Sequence, residues 1–154
     1  LISDHTQSLG VANGLSPDRL RAQRVEIDAL NERWDDYTLL QGCELEIKAD
    51  GSLDFPDEIL AELDFVVASV HTSLRQDRAQ ITQRVMNALR NPYVDVIGHP
   101  SGRILGQREE SAVDLDAIIE IASETGTALE VNSIPSRLDL DDVIANVPTI
   151  LVVS

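Results

Sequence analysis

The chain has only three histidines, and each stands just past an apolar run: His5 after Leu1-Ile2-Ser3-Asp4, His71 after Phe65 to Val70, and His99 after Val94 to Gly98. A fourth candidate, Glu44, interrupts Gly42-Cys43-Glu44-Leu45, where a carboxylate without a partner is costly to bury. Imidazole and carboxylate together suit zinc, manganese or iron, and donors drawn from separate strands match a metallohydrolase site better than a zinc finger. A metal in such a set makes water a usable nucleophile near neutral pH, and a second metal can hold the attacking and leaving oxygens of a phosphoester. Taken singly, a histidine at a strand end is more often a hydrogen-bonding or capping residue. Three at equivalent ends around one Glu shift the balance toward a metal.

The neighbours of these residues carry weaker expectations. Asp4, beside His5, reads as a supporting partner or a loop hydrogen-bonder rather than a ligand. Glu46 shares the strand parity of Glu44 and so its face, and is expected to be the more exposed of the two, at the mouth. Cys43 has the opposite parity and reads as a packed core thiol. Arg75 and Arg78 follow His71, Arg103 and Arg108 lie in the glycine-containing loop after His99, and Arg137 follows the fifth strand. A guanidinium on this side could grip a phosphate through two hydrogen bonds. Pairing with the many surface acids is the alternative for each. Arg103 is the preferred anchor, because Gly102 beside it lets a substrate approach the backbone. No Ser-His-Asp set or glycine-rich phosphate loop offers a competing chemistry.

Positioning these groups requires strand ends that share one side. Residues 1 to 3 end one strand, Ser16-Pro17 then supplies an N-cap and a first-turn proline, and Leu20, Ile27, Leu30 and Trp34 mark one face of a helix. A strand follows over roughly Leu39 to Ile47, a turn at Asp50-Gly51, a short helix opened by Pro56, and a strand from Phe65 to Val70. Residues 76 to 90 read as a helix carrying Ile81, Val85 and Leu89, and Val94 to Gly98 as a strand. Asp114 caps a further helix that Gly126 ends, Ala128 to Val131 is a strand, 139 to 146 a short helix, and Ile150 to Val153 the last strand. Six strands alternating with helices predict an α/β fold with a parallel sheet, open or closed into a barrel, whose C-terminal strand ends form the functional side.

Composition narrows the function classes. With 154 residues, 43% of them hydrophobic, one domain is the natural count. A net charge of -15, from 27 acidic residues against 12 basic ones of which only Lys48 is a lysine, repels a phosphate backbone in general. Phosphate chemistry here must therefore be local, or lean on a basic domain elsewhere. Apolar runs are too short to span a membrane, and the single cysteine, Cys43, allows no internal disulfide. A cytoplasmic location is the expectation.

Ser3-Asp4-His5, Gly42-Cys43-Glu44, Ala68-Ser69-Val70-His71 and Ile97-Gly98-His99-Pro100 resemble, in order and spacing, successive metal-binding motifs of the polymerase and histidinol phosphatase (PHP) superfamily. DHTQSLGVANGLSP, DGSLDFPDEILAELDFVVASVH, GHPSGRILGQRE and ALEVNSIPSRLDLDDV look like the PHP domain of bacterial and archaeal family X DNA polymerases over nearly the whole chain. The resemblance implies a distorted (βα)7 TIM-like barrel with two or three divalent metals, Mn or Zn or else Fe, at its C-terminal face. It implies His5, Glu44, His71 and His99 as metal ligands, and Arg103, Arg75 and Arg78 as candidates for phosphate binding, with Asp4 beside a ligand. The implied activity is a metal-dependent phosphoesterase, in the polymerase setting a 3'-5' exonuclease processing DNA 3' ends in repair, beside an upstream polymerase domain. A stand-alone phosphatase of the histidinol phosphate type and a non-catalytic PHP module are the alternatives. The family pattern opens on a His-x-His strand and closes on an Asp-x-His, neither of which occurs in residues 1–154. The expectation is thus a PHP fragment, incomplete at both ends and inactive on its own.

Overall fold

A computed structural model describes residues 1–140 and 151–153. Its strands, β1 (Ile2–His5), β2 (Gln41–Glu46), β3 (Phe65–Ser69), β4 (Val96–Ile97), β5 (Ala128–Val131) and β6 (Leu151–Val153), form one sheet in sequential order, every neighbouring pair parallel. Helices α1 (Pro17–Asn31), α2 (Asp57–Leu60), α3 (Arg78–Leu89) and α4 (Leu115–Thr125) connect the first five. Parallel neighbours need a crossover, and such crossovers are almost always right-handed. Since each one advances by a single strand in the same direction, the helices gather on one face. This is the expected α/β class, wound in one direction as in a TIM-like fold. Among the described residues β1 and β6 form the two edges and do not pair with each other.

Side-chain alternation divides the sheet accordingly. Cys43, Leu45, Val66, Ala68, Ile97 and Leu129 face the helices and pack with Leu20 of α1, Leu60 of α2, Ile81, Val85 and Leu89 of α3, and Ile118 of α4. Each Leu or Ile fully withdrawn from water there contributes about 1.5–3 kcal/mol. The other parity carries His5, Glu44, Val67 and Glu130, with Ser69 and Gly98 alongside. One face is thus oily, and the other carries the polar groups beside Val67, Val96 and Ala128.

Local chemistry sets the helix limits. Ser16, Asp77 and Asp114 cap α1, α3 and α4 by accepting from the backbone N–H of Arg19, Gln80 and Ala117. Gly126, at φ 77°, ends α4 in a left-handed turn that a side chain would resist. Helix α1 stops at Asn31, short of the expected Trp34. The Asn31 amide closes the loop instead, donating to the Leu39 carbonyl at 2.9 Å and accepting from its N–H at 2.7 Å. Trp34 stacks on Tyr37 at 4.8 Å, partly exposed, rather than joining the core. Of the short helix expected over 139–146, residues 141–146 lie outside the described residues; Asp139 and Leu140 are buried and not helical. No helix among the described residues is long and apolar enough to cross a membrane.

Asp64 ties the entry of β2 to α1, accepting from Gln41 N–H and from Arg24 Nη1, both at 2.8 Å. Partial burial pushes its carboxyl upward, but these hydrogen bonds and the guanidinium charge prevail and hold it below the ordinary carboxylate range. A depressed acid stabilises the fold above its unfolded pKa of about 3.9 and loses that contribution as pH falls through the folded value. Asp64→Asn should therefore lower the unfolding free energy measured by urea titration at pH 7, by no more than about 1 kcal/mol for so exposed a pair. Repeating the titration at pH values below about 4 should find the difference shrinking.

Candidate metal centre

Parallel register sets His5 beside Glu44, and Glu44 beside Val67, on the polar face. The chain leaves β3 and β4 within two residues of their last inward position, so His71 and His99 swing over the same strand ends. The result is a cavity of about 520 Å³ lined by His5, Glu44, His71, His99, Glu130 and Arg137, with Val11 and Ile134 among its apolar walls.

Glu44 is the hub. His71 Nε2 lies 3.0 Å from Glu44 Oε1, His99 Nε2 3.7 Å from the same oxygen, and His5 Nδ1 3.5 Å from Oε2. The last two contacts are within ion-pair range but lack hydrogen-bond geometry, and His5 Nδ1 and His99 Nε2 are buried with no hydrogen-bond partner among the described residues. The His5 and His71 rings meet edge to face at 5.0 Å, and those of His71 and His99 lie 5.1 Å apart. Donor atoms of His5, Glu44 and His71 all fall within 4.8 Å of one another, a group able to hold a metal ion. Buried imidazole nitrogens without partners around a carboxylate are what a divalent cation would satisfy, so the residues present fit one.

The electrostatics follow from this packing. Burial disfavours charge on Glu44, yet the hydrogen bond from His71 and the charges of the three imidazoles hold its carboxyl low. Burial likewise disfavours an imidazolium at His71, but Glu44 and Glu46 outweigh it and raise that pKa to about 9. The two carboxylates thus favour the charged form of His71.

The four expected ligands line one cavity, with His5, Glu44 and His71 forming the close donor group and His99 standing outside it; the supporting residues are not where the sequence placed them. Glu46 is only 2% exposed, more buried than Glu44, and lies beneath His71 rather than at the mouth. Asp4 lies on the other face of β1 from His5 and accepts from Gln23 Nε2 of α1 at 2.7 Å. Arg78 pairs with Asp114 at 2.8 Å, outside the cavity. Arg75 borders a separate groove with Gln107 and Glu109. Arg103 donates to the carbonyls of Arg137 and Leu138, so it braces the loop after β5 instead of pointing at a substrate. Arg137 is the arginine that lines the cavity, and its Nη1 is buried without a hydrogen-bond partner among the described residues.

No family model matches the chain. It is 49% identical to the DNA polymerase/3'-5' exonuclease PolX of Bacillus subtilis strain 168 over 139 residues, 90% of this chain and 24% of that protein. A probable phosphatase of Caldanaerobacter subterraneus subsp. tengcongensis is 33% identical over 111 residues, 70% of this chain and 41% of the phosphatase. One from Thermoanaerobacter sp. strain X514 is 34% identical, again over 70% of this chain and 43% of its own length. The chain therefore spans about a quarter of the first relative and about two fifths of the phosphatases.

Sequence reasoning passed over Glu130. It accepts from the backbone N–H of His99 and faces His99 Nδ1 at 3.2 Å, while its other oxygen accepts from Asn132. The signal was available, since a carboxylate interrupting the apolar run Ala128 to Val131 is the pattern that singled out Glu44. These contacts help hold His99 at φ 30°, a left-handed conformation that a non-glycine residue adopts at a cost of about 1–3 kcal/mol.

Gly98 makes room for that arrangement. A Cβ there would come within 2.4 Å of the buried Ser69 Oγ and 3.0 Å of Val67 Cγ1. Gly98→Ala should destabilise the fold by about 1–3 kcal/mol, the usual cost of overpacking. Ser69→Ala in the same chain should recover part of that loss, read as the thermal midpoint of the single and double variants.

Proposed function

We propose that this chain is part of a PHP-type phosphoesterase domain whose reaction depends on divalent metal, built as a fragment of a (βα)7 barrel over residues 1–154. The observation that carries the reading is the convergence of His5, Glu44, His71 and His99 on one cavity, with two buried imidazole nitrogens lacking partners. A relative named as a polymerase and 3'-5' exonuclease, and others named as phosphatases, support hydrolysis of phosphoesters. The match to the exonuclease covers the larger share of this chain, which favours DNA 3' ends as substrate within a longer protein carrying a polymerase region.

His5, Glu44, His71 Nε2 and His99 would hold the metal. When bound, divalent cations supply water acidic enough to attack near neutral pH and positive charge for the phosphoester oxygens. Arg137 would bind a non-bridging phosphate oxygen through its free Nη1, a donor whose fork geometry suits phosphate. Val11 and Ile134, exposed apolar residues at the rim, would pack against the sugar or base and limit water at the phosphate. Binding confined to this cavity reconciles a phosphate substrate with a net charge of -15.

A stand-alone phosphatase acting on a small phosphate ester is the second reading, favoured by phosphatase relatives that share 70% of the chain. The full-length protein separates the two by whether manganese-dependent release of nucleotides from a 3'-labelled DNA strand exceeds hydrolysis of small phosphate monoesters. In that protein Glu44→Gln should abolish metal retention, and Arg137→Ala should lower kcat/KM roughly 10²-fold, the usual cost of losing one donor to the developing charge. Hydrolysis that survives chelation and Glu44→Gln together would refute catalysis by this metal centre.

A further inference from the structure

Glu46 is almost wholly buried at the C-terminal end of β2, and so is Arg84 of α3 beside it. A buried ion pair is weak evidence for stability, because the desolvation cost is comparable to the attraction gained. The geometry around this one says more. Glu46 Oε2 lies 2.7 Å from His71 Nδ1, while Oε1 accepts from the Thr72 hydroxyl at 2.8 Å and the Thr72 N–H at 3.2 Å. Arg84 reaches Glu46 Oε1 through Nη2 at 3.5 Å and is itself pinned, donating from Nε to the Ile47 carbonyl at 2.9 Å and from Nη1 to the Thr72 carbonyl and Gln76 Oε1. The guanidinium therefore ties the exits of β2 and β3 to α3 and leaves the Glu46 carboxylate one orientation.

We propose that Glu46, held in place by Arg84, is a positioning residue that keeps the proton of His71 on Nδ1 and its Nε2 turned into the cavity. A histidine accepting on Nε2 must carry its remaining proton on Nδ1, and a fixed carboxylate there sets both tautomer and ring rotation. With Glu46 absent, the ring is free to turn about χ2 and present either nitrogen to the cavity. The inference rests on the metal-centre reading given above and concerns how one of its ligands is aimed.

Zinc titration of the full chain by calorimetry tests it, together with the exchange rate of the His71 Nδ1 proton by NMR of the zinc-loaded protein. Glu46→Gln keeps the shape and an acceptor but loses the charge. Zinc affinity should fall about 10- to 100-fold, as is typical when a partner of a ligating histidine is removed. The Nδ1 proton should be protected from exchange in the native protein and lose that protection in the variant. Arg84→Lys, which retains the charge but not the fork, should shift both readouts in the same direction and serves if Glu46→Gln does not fold. A merely structural Glu46 predicts a lower thermal midpoint with unchanged zinc affinity and protection, and that result would overturn the inference while leaving the metal centre intact. Failure of the native protein to bind zinc at all would overturn the metal-centre reading, and the inference with it.

Discussion

A carboxylate placed in the middle of a buried strand constrains everything near it. Glu44 occupies an inward position of β2, and the cost of taking its charge out of water has to be met within a few ångströms. Three imidazoles meet it, from β1, from the loop after β3 and from the loop after β4. None of them is close to Glu44 in sequence, so the site exists only when the sheet is assembled in register. The main apolar cluster accordingly lies on the helix side. Cys43 and Leu45, the immediate neighbours of Glu44, are fully buried among helix side chains, while Glu44 itself opens onto the cavity.

The single direction of winding makes that division possible. With the helices on one face, every loop leaving a strand arrives over the other end of the same polar surface, and several buried polar groups hold those loops in place. Arg84 links the exits of β2 and β3. Asp139, wholly buried, accepts from the N–H groups of Ser101 and Gly102 at 3.0 Å and so joins the loops that follow β4 and β5. Glu130 fixes the turn at His99. At this end of the sheet, charge-assisted hydrogen bonds take the role that apolar packing has at the helix face.

Much of this was legible in the sequence. Periodicity and caps located the helices and the strands because Ser16-Pro17, Asp114 and Gly126 act locally. The histidines and Glu44 stood out because polar groups at strand ends or inside apolar runs need a reason. What escaped depends on distant partners. Arg84 reads as one more polar residue beside the apolar positions of α3, and nothing in its neighbours reveals a strand-end carbonyl as its target. Glu46 was placed on the correct face but assigned the wrong exposure, because the loop that covers it is ordered by contacts with Glu46 itself. Five arginines follow strand ends in the sequence, but which of them faces the cavity depends on partners far along the chain. Asp114 and loop carbonyls captured Arg78 and Arg103, whereas Arg137, farther along, reached the cavity.

The central claim is that Glu44 and the three imidazoles around it form one metal centre. Anomalous diffraction at the manganese edge from crystals of the full-length protein soaked in manganese addresses it most directly. The account predicts a peak in contact with the Glu44 carboxylate, with His5 Nδ1 and His71 Nε2 in ligand range and His71 Nδ1 still facing Glu46. A peak confined to the surface acids, with the Glu44 cluster free of metal at saturating manganese, would contradict it.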